Sequence, residues 1–369
     1  MLYPITPIFL TTVLGASMTS VGFIEGMAEG IASLLKTFSG RWSDRISRRK
    51  PFVVVGYLLS ALAKPLTGLS TSWTGVLMAR GLDRTGKGLR GAPRDAMLAE
   101  AVSPKLRGAA FGWHRAMDTL GAAIGPLLAV IYLTYFSSNL RNIYYLAVIP
   151  GLLAVAFLFL IKEKRRVVTG ETKPAVQLKW SEFSKDFKIY LISWGVFSVT
   201  NSSDVFLLMK AKEQGLSLNM VIFMYCFYNL TYSLMSPYFG KLSDRIPRKK
   251  ILIFGLLIFS LVYSGFAVAT SVWHFWVLFG IYGFYMAATD GVGKALAVDL
   301  VDPRLKASGL GVLGTVTGIA TVIASTIAGG IWDHVGSSWT FCYGVAGALI
   351  CAVLLQKLQS NSSPRPLSV

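Results

Sequence analysis

The sequence predicts an all-α polytopic membrane protein of two six-helix bundles, related by a pseudo-two-fold axis along the membrane normal. Three observations carry that prediction. Of 369 residues, 53% are hydrophobic and only 15% charged, where a soluble domain carries about 25% charged residues. The mean hydropathy is +0.56, and apolar windows of about 20 residues, the length of a membrane-crossing helix, recur from end to end. Two sequence blocks also repeat at nearly one offset. Together these exclude a soluble enzyme and a disordered chain. They also exclude a transmembrane β-barrel, whose strands need only about ten alternating residues.

The elements follow in order. A helix with a short loop takes roughly 30 residues, so the length accommodates about 12 spans. Apolar spans fall near 1–14, 20–38, 51–69, 73–98, 107–133 and 143–162, which make an N-terminal bundle over 1–162. A polar stretch, 163–188, reads as a cytoplasmic linker. Within it Trp180, Phe183 and Phe187 recur at helical spacing among charged residues, which predicts a short amphipathic helix at the membrane surface. The second set lies near 189–208, 218–239, 251–269, 273–297, 307–330 and 337–356, a C-terminal bundle over 189–356. The tail, 357–369, is polar and Pro/Ser-containing, a composition expected of disorder. The first apolar run lacks a positive n-region and is followed at once by another hydrophobic helix, so it is not a signal peptide. Cys226, Cys342 and Cys351 all fall in apolar runs and read as buried free thiols.

The net charge of +18 comes from 36 Lys+Arg against 18 Asp+Glu. Arg41, Arg45, Arg48, Arg49 and Lys50 follow span 2, and Lys241, Arg245, Arg248, Lys249 and Lys250 follow span 8. The linker holds Lys162, Lys164, Arg165, Arg166, Lys173, Lys179, Lys185 and Lys188. Loops on the other side hold only Arg141, then Lys210 and Lys212 beside Glu213. This is the positive-inside pattern, and with an even span count it puts both termini in the cytoplasm. The positive charge is topology and not a nucleic-acid face.

The stretch from Gly40, GRWSDRISRRK, matches GKLSDRIPRKK from Gly240 at an offset of 200, and SPKLRGAAFG from Ser103 matches DPRLKASGLG from Asp302 at 199. Two blocks at nearly one offset argue for duplication. The offset sets the counterpart of span 7 at about −11 to 8, so the sequence opens inside span 1. A start codon placed too late and a real N-terminal deletion are the two readings, and lipid favours the first because a half-helix leaves backbone groups unsatisfied. In the loop after span 2, Gly40 lets the helix end approach a neighbour, and Asp44 stands among Arg45, Arg48 and Arg49. Such an Asp can accept from a helix N-terminus or pair with an Arg in one conformation only, as a gating latch; a plain topological anchor is the other reading. The recurrence at Gly240, Asp244, Arg245 and Arg248 favours the latch.

On these residues the chain resembles the major facilitator superfamily, whose most recognisable motif is G-x-x-x-D-R-x-x-R-R/K after span 2. The resemblance spans about residues 1–356. Arg80 matches the arginine of that family's fourth helix, and Gly112, Gly121 and Gly125-Pro126 are similar to its antiporter motif. Ala129 and Val130 stand where that motif ends in two glycines. The resemblance implies secondary transport by alternating access, with export by proton antiport suggested by the partial motif.

Charges inside membrane spans are costly and read first as functional. Glu25 and Glu29 share a face of span 2, with Glu25 nearer the outer surface and structural or at a cavity entrance. Arg80, Asp83, Lys87, Arg90 and Arg94 form a polar stripe on span 4, beside Arg84. Arg115 and Asp118 on span 5 are spaced to pair. Glu29, Asp83 and Asp118 are candidate proton carriers, with Arg84 and Arg115 as their modulators; static salt bridges remain the alternative for each. Gly86, Gly88, Gly91 and Pro93 predict a bent or locally unwound span 4. Candidates for lining a substrate cavity are Arg80, Lys87, Arg90, Asn201, Asp204, Asn229 and Tyr282. A basic first half and an aromatic second half suit an amphiphilic or anionic organic solute.

The expected function is therefore proton-coupled efflux of a small amphiphilic solute or drug through a bacterial inner (plasma) membrane. Proton-coupled import of a siderophore or other anionic metabolite is one alternative, and a transport-inactive receptor or scaffold another. No nucleophile, metal-ligand or cofactor motif is present, so neither an enzyme nor a cofactor is expected. The expected partners are the lipid bilayer, a small-molecule substrate and protons, with no nucleic acid, acting on a monomer.

Overall fold

A computed structural model describes residues 2–46, 48–101, 107–161, 180, 183–243, 245–301 and 306–358. Most of these residues are helical, and the segments between helices are short. In order come α1 (Ile5–Ile8), a π-helical turn (Phe9–Val13), α2 (Met18–Ile46), α3 (Lys50–Leu69), α4 (Trp73–Ala101), α5 (Arg107–Tyr135), α6 (Leu140–Leu146) and α7 (Val148–Leu160). Then follow α8 (Lys185–Thr200), α9 (Val205–Glu213), α10 (Leu218–Ser243), α11 (Arg248–Val268), α12 (Val272–Asp299), α13 (Lys306–His334) and α14 (Ser337–Gln356). Every expected span falls on helix. Among the described residues, 7 helical stretches are long and apolar enough to cross a membrane, α6–α7 and α8–α9 each acting as one. Large apolar side chains such as Leu152, Phe157, Phe254 and Leu261 are exposed, as a lipid solvent requires. The chain forms two compact units, Met1–Ala16 with Phe23–Gln177, and Ser17–Gly22 with Leu178–Val369.

Glycine sets the helix spacing in the first unit. A Cβ on Gly56 of α3 would lie 2.6 Å from the Gly86 carbonyl oxygen and 2.7 Å from the Arg90 Cβ. A Cβ on Gly86 would overlap the Gly56 carbonyl in return. One on Gly88 would meet Leu35 Cβ of α2 at 2.6 Å, and the Ser39 hydroxyl donates to the Gly88 carbonyl at 2.9 Å. Small residues replace the hydrophobic effect as the means of close helix packing in lipid. The glycines of span 4 therefore do not unwind it: α4 is continuous from Trp73 to Ala101 with Pro93 inside. Their missing side chains are filled by neighbouring helices. Gly40 likewise approaches Ala92, whose Cβ would lie 3.1 Å away, whereas a Cβ on Gly240 meets nothing described within 4 Å.

The second unit repeats the device with aromatic partners. A Cβ on Gly255 of α11 would lie 2.6 Å from Thr289 of α12, and one on Gly344 of α14 would lie 2.6 Å from the Tyr263 ring. Phe259, Tyr263, Phe266 and Phe341 form a fully buried ring cluster around these contacts. The first turn of α2 belongs to this unit: Asp333 accepts from the Met18 and Thr19 N–H groups at 3.0 and 2.7 Å and from the Thr19 hydroxyl at 2.6 Å. A carboxylate at a helix N-terminus satisfies orphan donors and opposes the helix dipole.

Three local expectations need correction. Span 7 is not one helix; α8 ends at Thr200 and α9 begins at Val205, because the run Asn201, Ser202, Ser203 and Asp204 offers the backbone side-chain hydrogen bonds in place of helical ones. Phe187 lies in the first turn of α8, whose N-cap is Ser184, and is buried against Phe183, so it belongs to span 7; the rest of the expected surface helix lies almost wholly outside the described residues. Of the thiols, Cys351 is buried, Cys226 is half-buried and Cys342 is exposed, since an apolar run supplies lipid-facing as well as core positions. The tail beyond Leu358 and most of the linker lie outside the described residues.

Replacing Gly86 by Leu is expected to force α3 and α4 apart and to cost at least about 1–3 kcal/mol, the range for overpacking. Thermal unfolding of the detergent-solubilised protein, followed by tryptophan fluorescence, should show a lowered midpoint. Ala at the exposed Met78 should leave it unchanged.

Candidate functional site

In the first unit the polar stripe of α4 faces the two glutamates of α2. Glu25 and Arg80 form a buried ion pair, with side chains 2% and 9% exposed. One turn on, Glu29 meets Arg84 at 3.2 Å and Lys87 at 3.4 Å. Asp83 lies 3.9 Å from Arg84. Towards the C-terminal end of α4, Arg94 pairs with Asp95 at 3.2 Å, and Lys36 of α2 reaches Asp95 at 3.7 Å. The pairs form a ladder because both helices present a polar residue every three or four positions.

Arg90 faces the other way. It donates to the Ser60 hydroxyl at 2.5 Å and to the Gly56 carbonyl at 3.2 Å, and its guanidinium lies 4.4 Å from the Tyr57 ring centre. The Ser60 hydroxyl donates to the Asp83 carbonyl at 3.1 Å. Arg80 and Arg90, expected to line a cavity, are thus engaged by Glu25 and by α3, while Lys87 stays half-exposed. The Nε atoms of Arg80 and Arg84 are buried with no hydrogen-bond partner. Asp118 is exposed on α5, and the Arg115 side chain lies outside the described residues.

In the second unit polar groups gather at the break between α8 and α9. Asp204, at the start of α9, accepts from the Tyr282 hydroxyl at 2.7 Å and the Tyr228 hydroxyl at 2.9 Å. Asn201 donates to the Tyr285 hydroxyl at 3.4 Å. Asn201 Oδ1 is buried without a hydrogen-bond partner, and the buried Tyr263 hydroxyl lies beside the Ser202 and Tyr282 hydroxyls. Broken helices whose free polar groups face inward are the usual substrate and ion sites of secondary carriers. Asn229 does not join the cluster, since its amide donates to the Tyr225 carbonyl of its own helix at 2.8 Å. A second acidic group, Asp290, accepts from Tyr232 at 2.9 Å and from Lys294 at 2.6 Å. Tyr228, Tyr263 and Ser202 were hidden among aromatics and small polar residues; the four consecutive polar residues inside an apolar span were the signal for the break.

The repeated loop motif has a structural use that charge counting missed. Lys50 donates to the Phe159 and Ile161 carbonyls at 3.2 and 2.6 Å, closing the C-terminus of α7. Lys249 donates to the Gln356 and Leu358 carbonyls at 3.3 and 2.8 Å, closing the C-terminus of α14. A lysine there bonds the last carbonyls and opposes the negative end of the helix dipole. Arg248 pairs with Asp299 and donates to the Ala295 carbonyl at 3.2 Å, while Arg48 and Arg245 are exposed. The Asp44 and Arg45 side chains, and Asp244, lie outside the described residues.

The family model of the Major Facilitator Superfamily matches residues 1–227 and again 189–368. The chain belongs to the major facilitator superfamily. It is 36% identical over 361 residues, covering 96% of this chain and 89% of the relative, to an uncharacterized MFS-type transporter of Methanocaldococcus jannaschii. It is 24% identical over 348 residues, 93% of this chain and 83% of the relative, to the multidrug resistance protein MdtH of Enterobacter sp.. Among solved structures it is similar in fold to the nucleoside transporter NupG, with a TM-score of 0.80 at 14% identity over 96% of this chain and 95% of that one. It also resembles the D-xylose-proton symporter, with a TM-score of 0.79 at 15% identity over 98% and 94%. A superfamily member of this kind is a multi-pass membrane transporter of small solutes and not an enzyme.

Glu25→Gln is expected to leave Arg80 as an unpaired buried charge and to destabilise the protein by about 3–5 kcal/mol, the range for breaking a buried pair. Glu29→Gln should cost markedly less, because the Glu29 side chain is 41% exposed. Paired unfolding curves of the two variants test this; equal losses would contradict the burial argument.

Proposed function

We propose that this superfamily member is a proton-coupled exporter, exchanging protons for a small amphiphilic organic solute or drug by alternating access. The observation that carries the reading is the ladder Glu25–Arg80 and Glu29–Arg84/Lys87, a set of ionisable groups kept inside membrane helices where charge is expensive. Two features support the outward direction. The partial antiporter motif of Gly112, Gly121, Gly125 and Pro126 lies on α5, and relatives over most of the chain carry the name multidrug resistance protein. Within this reading the halves 1–162 and 189–356 are joined by a cytoplasmic linker, 163–188, and followed by a cytoplasmic tail, 357–369. Positive loops on one side place both termini in the cytoplasm of a plasma membrane, and the monomer is the working unit. The Gly40–Arg48 and Gly240–Arg248 loops act as latches in the transport cycle.

A second reading is proton-coupled import of an anionic metabolite. Arg80, Arg84, Lys87, Arg90 and Arg94 on one helix outnumber the acidic side chains beside them and favour it. Reconstitution into proteoliposomes separates the two. Under an imposed pH gradient, export predicts ethidium movement against its own gradient, driven by protons moving the other way. Import predicts co-movement of an anionic probe, such as a ferric catecholate, with protons. Glu29→Gln should lose gradient-driven flux and keep counterflow exchange; undiminished gradient-driven flux would remove Glu29 from coupling.

A further inference from the structure

α3 is long and apolar enough to cross a membrane, yet its second half carries a lysine. Lys64 of α3 and Arg90 of α4 depart from the pairing of the first unit. Arg80, Arg84, Lys87 and Arg94 of α4, and Lys36 of α2, each lie within ion-pair distance of a carboxylate. Among the described residues no carboxylate comes that close to Lys64 or Arg90. Asp83 of α4 is the acid that acts on both from further away, and its own ion-pair partner is Arg84 at 3.9 Å.

The two cations converge on Ser60. Lys64 Nζ donates to the Ser60 carbonyl at 2.8 Å, and Arg90 Nη1 donates to the Ser60 hydroxyl at 2.5 Å. Arg90 Nη1 also reaches the Gly56 carbonyl at 3.2 Å. These acceptors are neutral and cancel no charge. Most donors of an ammonium and a guanidinium are left over by such contacts. Nε and Nη2 of Arg90 have no hydrogen-bond partner among the described residues.

The direction of Lys64 is informative. It lies nearer the Leu69 end of α3, where a lysine usually stretches its stem toward water. Its ammonium turns back instead, to a carbonyl one turn deeper. Leu58, Leu62, Leu66 and Leu69 are exposed and share one face of α3, and Lys64 takes the opposite face with Ser60. On that side a Cβ on Gly151 of α7 would lie 3.1 Å from Ala61 Cβ and 3.8 Å from Lys64 Nζ, so the glycine leaves the space beside the ammonium open. Lys64 and Arg90 are both half-buried.

A cation inside a span is costly until an anion cancels it. We infer that Lys64 and Arg90, joined through Ser60, form a binding site for the carboxylate or phosphate group of a small solute. The ammonium supplies a point charge and the guanidinium a planar fork, donors suited to both oxyanions. Lipid head groups share this chemistry, but Lys64 points away from the leucine face of α3. The site stands apart from the Glu25–Arg80 ladder and holds for either direction of transport.

The test is thermal unfolding of the detergent-solubilised full chain in sodium acetate, sodium phosphate or sodium chloride at equal ionic strength. Acetate or phosphate should raise the midpoint saturably above the chloride curve. The rise should vanish in Lys64→Met and survive in Lys64→Arg. In chloride, Lys64→Met should unfold at or above the wild-type midpoint, because it removes a charge that lacks an acidic partner. A lowered midpoint, or failure of that variant to fold, means that Lys64 has a structural partner and overturns the site. An equal rise in wild type and Lys64→Met overturns it, as does no rise with either anion. Stabilisation by added phosphatidylglycerol alone, without any response to acetate or phosphate, assigns the cations to lipid and overturns the solute site.

Discussion

Hydrocarbon offers no hydrogen bonds, so each polar group a span carries must find its partner within the protein. That constraint shapes both units, which meet it with different chemistry. In the first, acidic and basic side chains on α2 and α4 cancel in pairs, the most buried being Glu25 and Arg80. The pairing demands that helices lie close enough for short contacts. Gly56, Gly86 and Gly88 bring the backbones together, and Arg90 and Ser60 tie α4 to α3 across the same seam. Packing and electrostatics therefore depend on each other: a side chain at Gly86 would open the gap that the ion pairs and the Arg90 contacts span.

Duplication explains which features recur. Gly56 and Gly255 stand 199 positions apart, the offset of the second repeated block, and both mark places where a neighbouring helix occupies the space of a side chain. Lys50 and Lys249, one position out of the 200-residue register of the loop block, perform the same task, each closing the last helix of its own half. The repeated basic loop thus does two things with one set of residues. Its clustered charge is the kind that sets topology in membrane proteins, and its lysine holds the end of a distant helix in place.

The helical fold and the duplication were legible because hydrophobic windows and block repeats are one-dimensional signals. The pairings were only half legible. The three-four spacing of Glu25, Glu29, Arg80, Arg84 and Lys87 showed that they share faces, but which partner each takes depends on helix rotation, which spacing does not encode. The unwinding expected around Gly86 and Gly88 does not occur, because propensities learned in water count their entropy and not the close packing that lipid rewards. The break in span 7 was missed for the opposite reason. Asn201, Ser202, Ser203 and Asp204 sit inside a window whose average is still apolar, and averaging hides four consecutive residues that compete for their own backbone.

Where the halves diverge, the divergence is chemical and not architectural. At the offset of 199, Asp83 of α4 corresponds to Tyr282 of α12, and Arg84 to Gly283. A carboxylate beside an arginine has become a phenol beside a glycine. In α12 the glycine admits α10 so closely that a Cβ there would lie 2.7 Å from the Thr231 Cβ, and Tyr228 comes from that same stretch of α10. The two phenols that hold Asp204 are therefore brought together by the small residue that replaced the arginine.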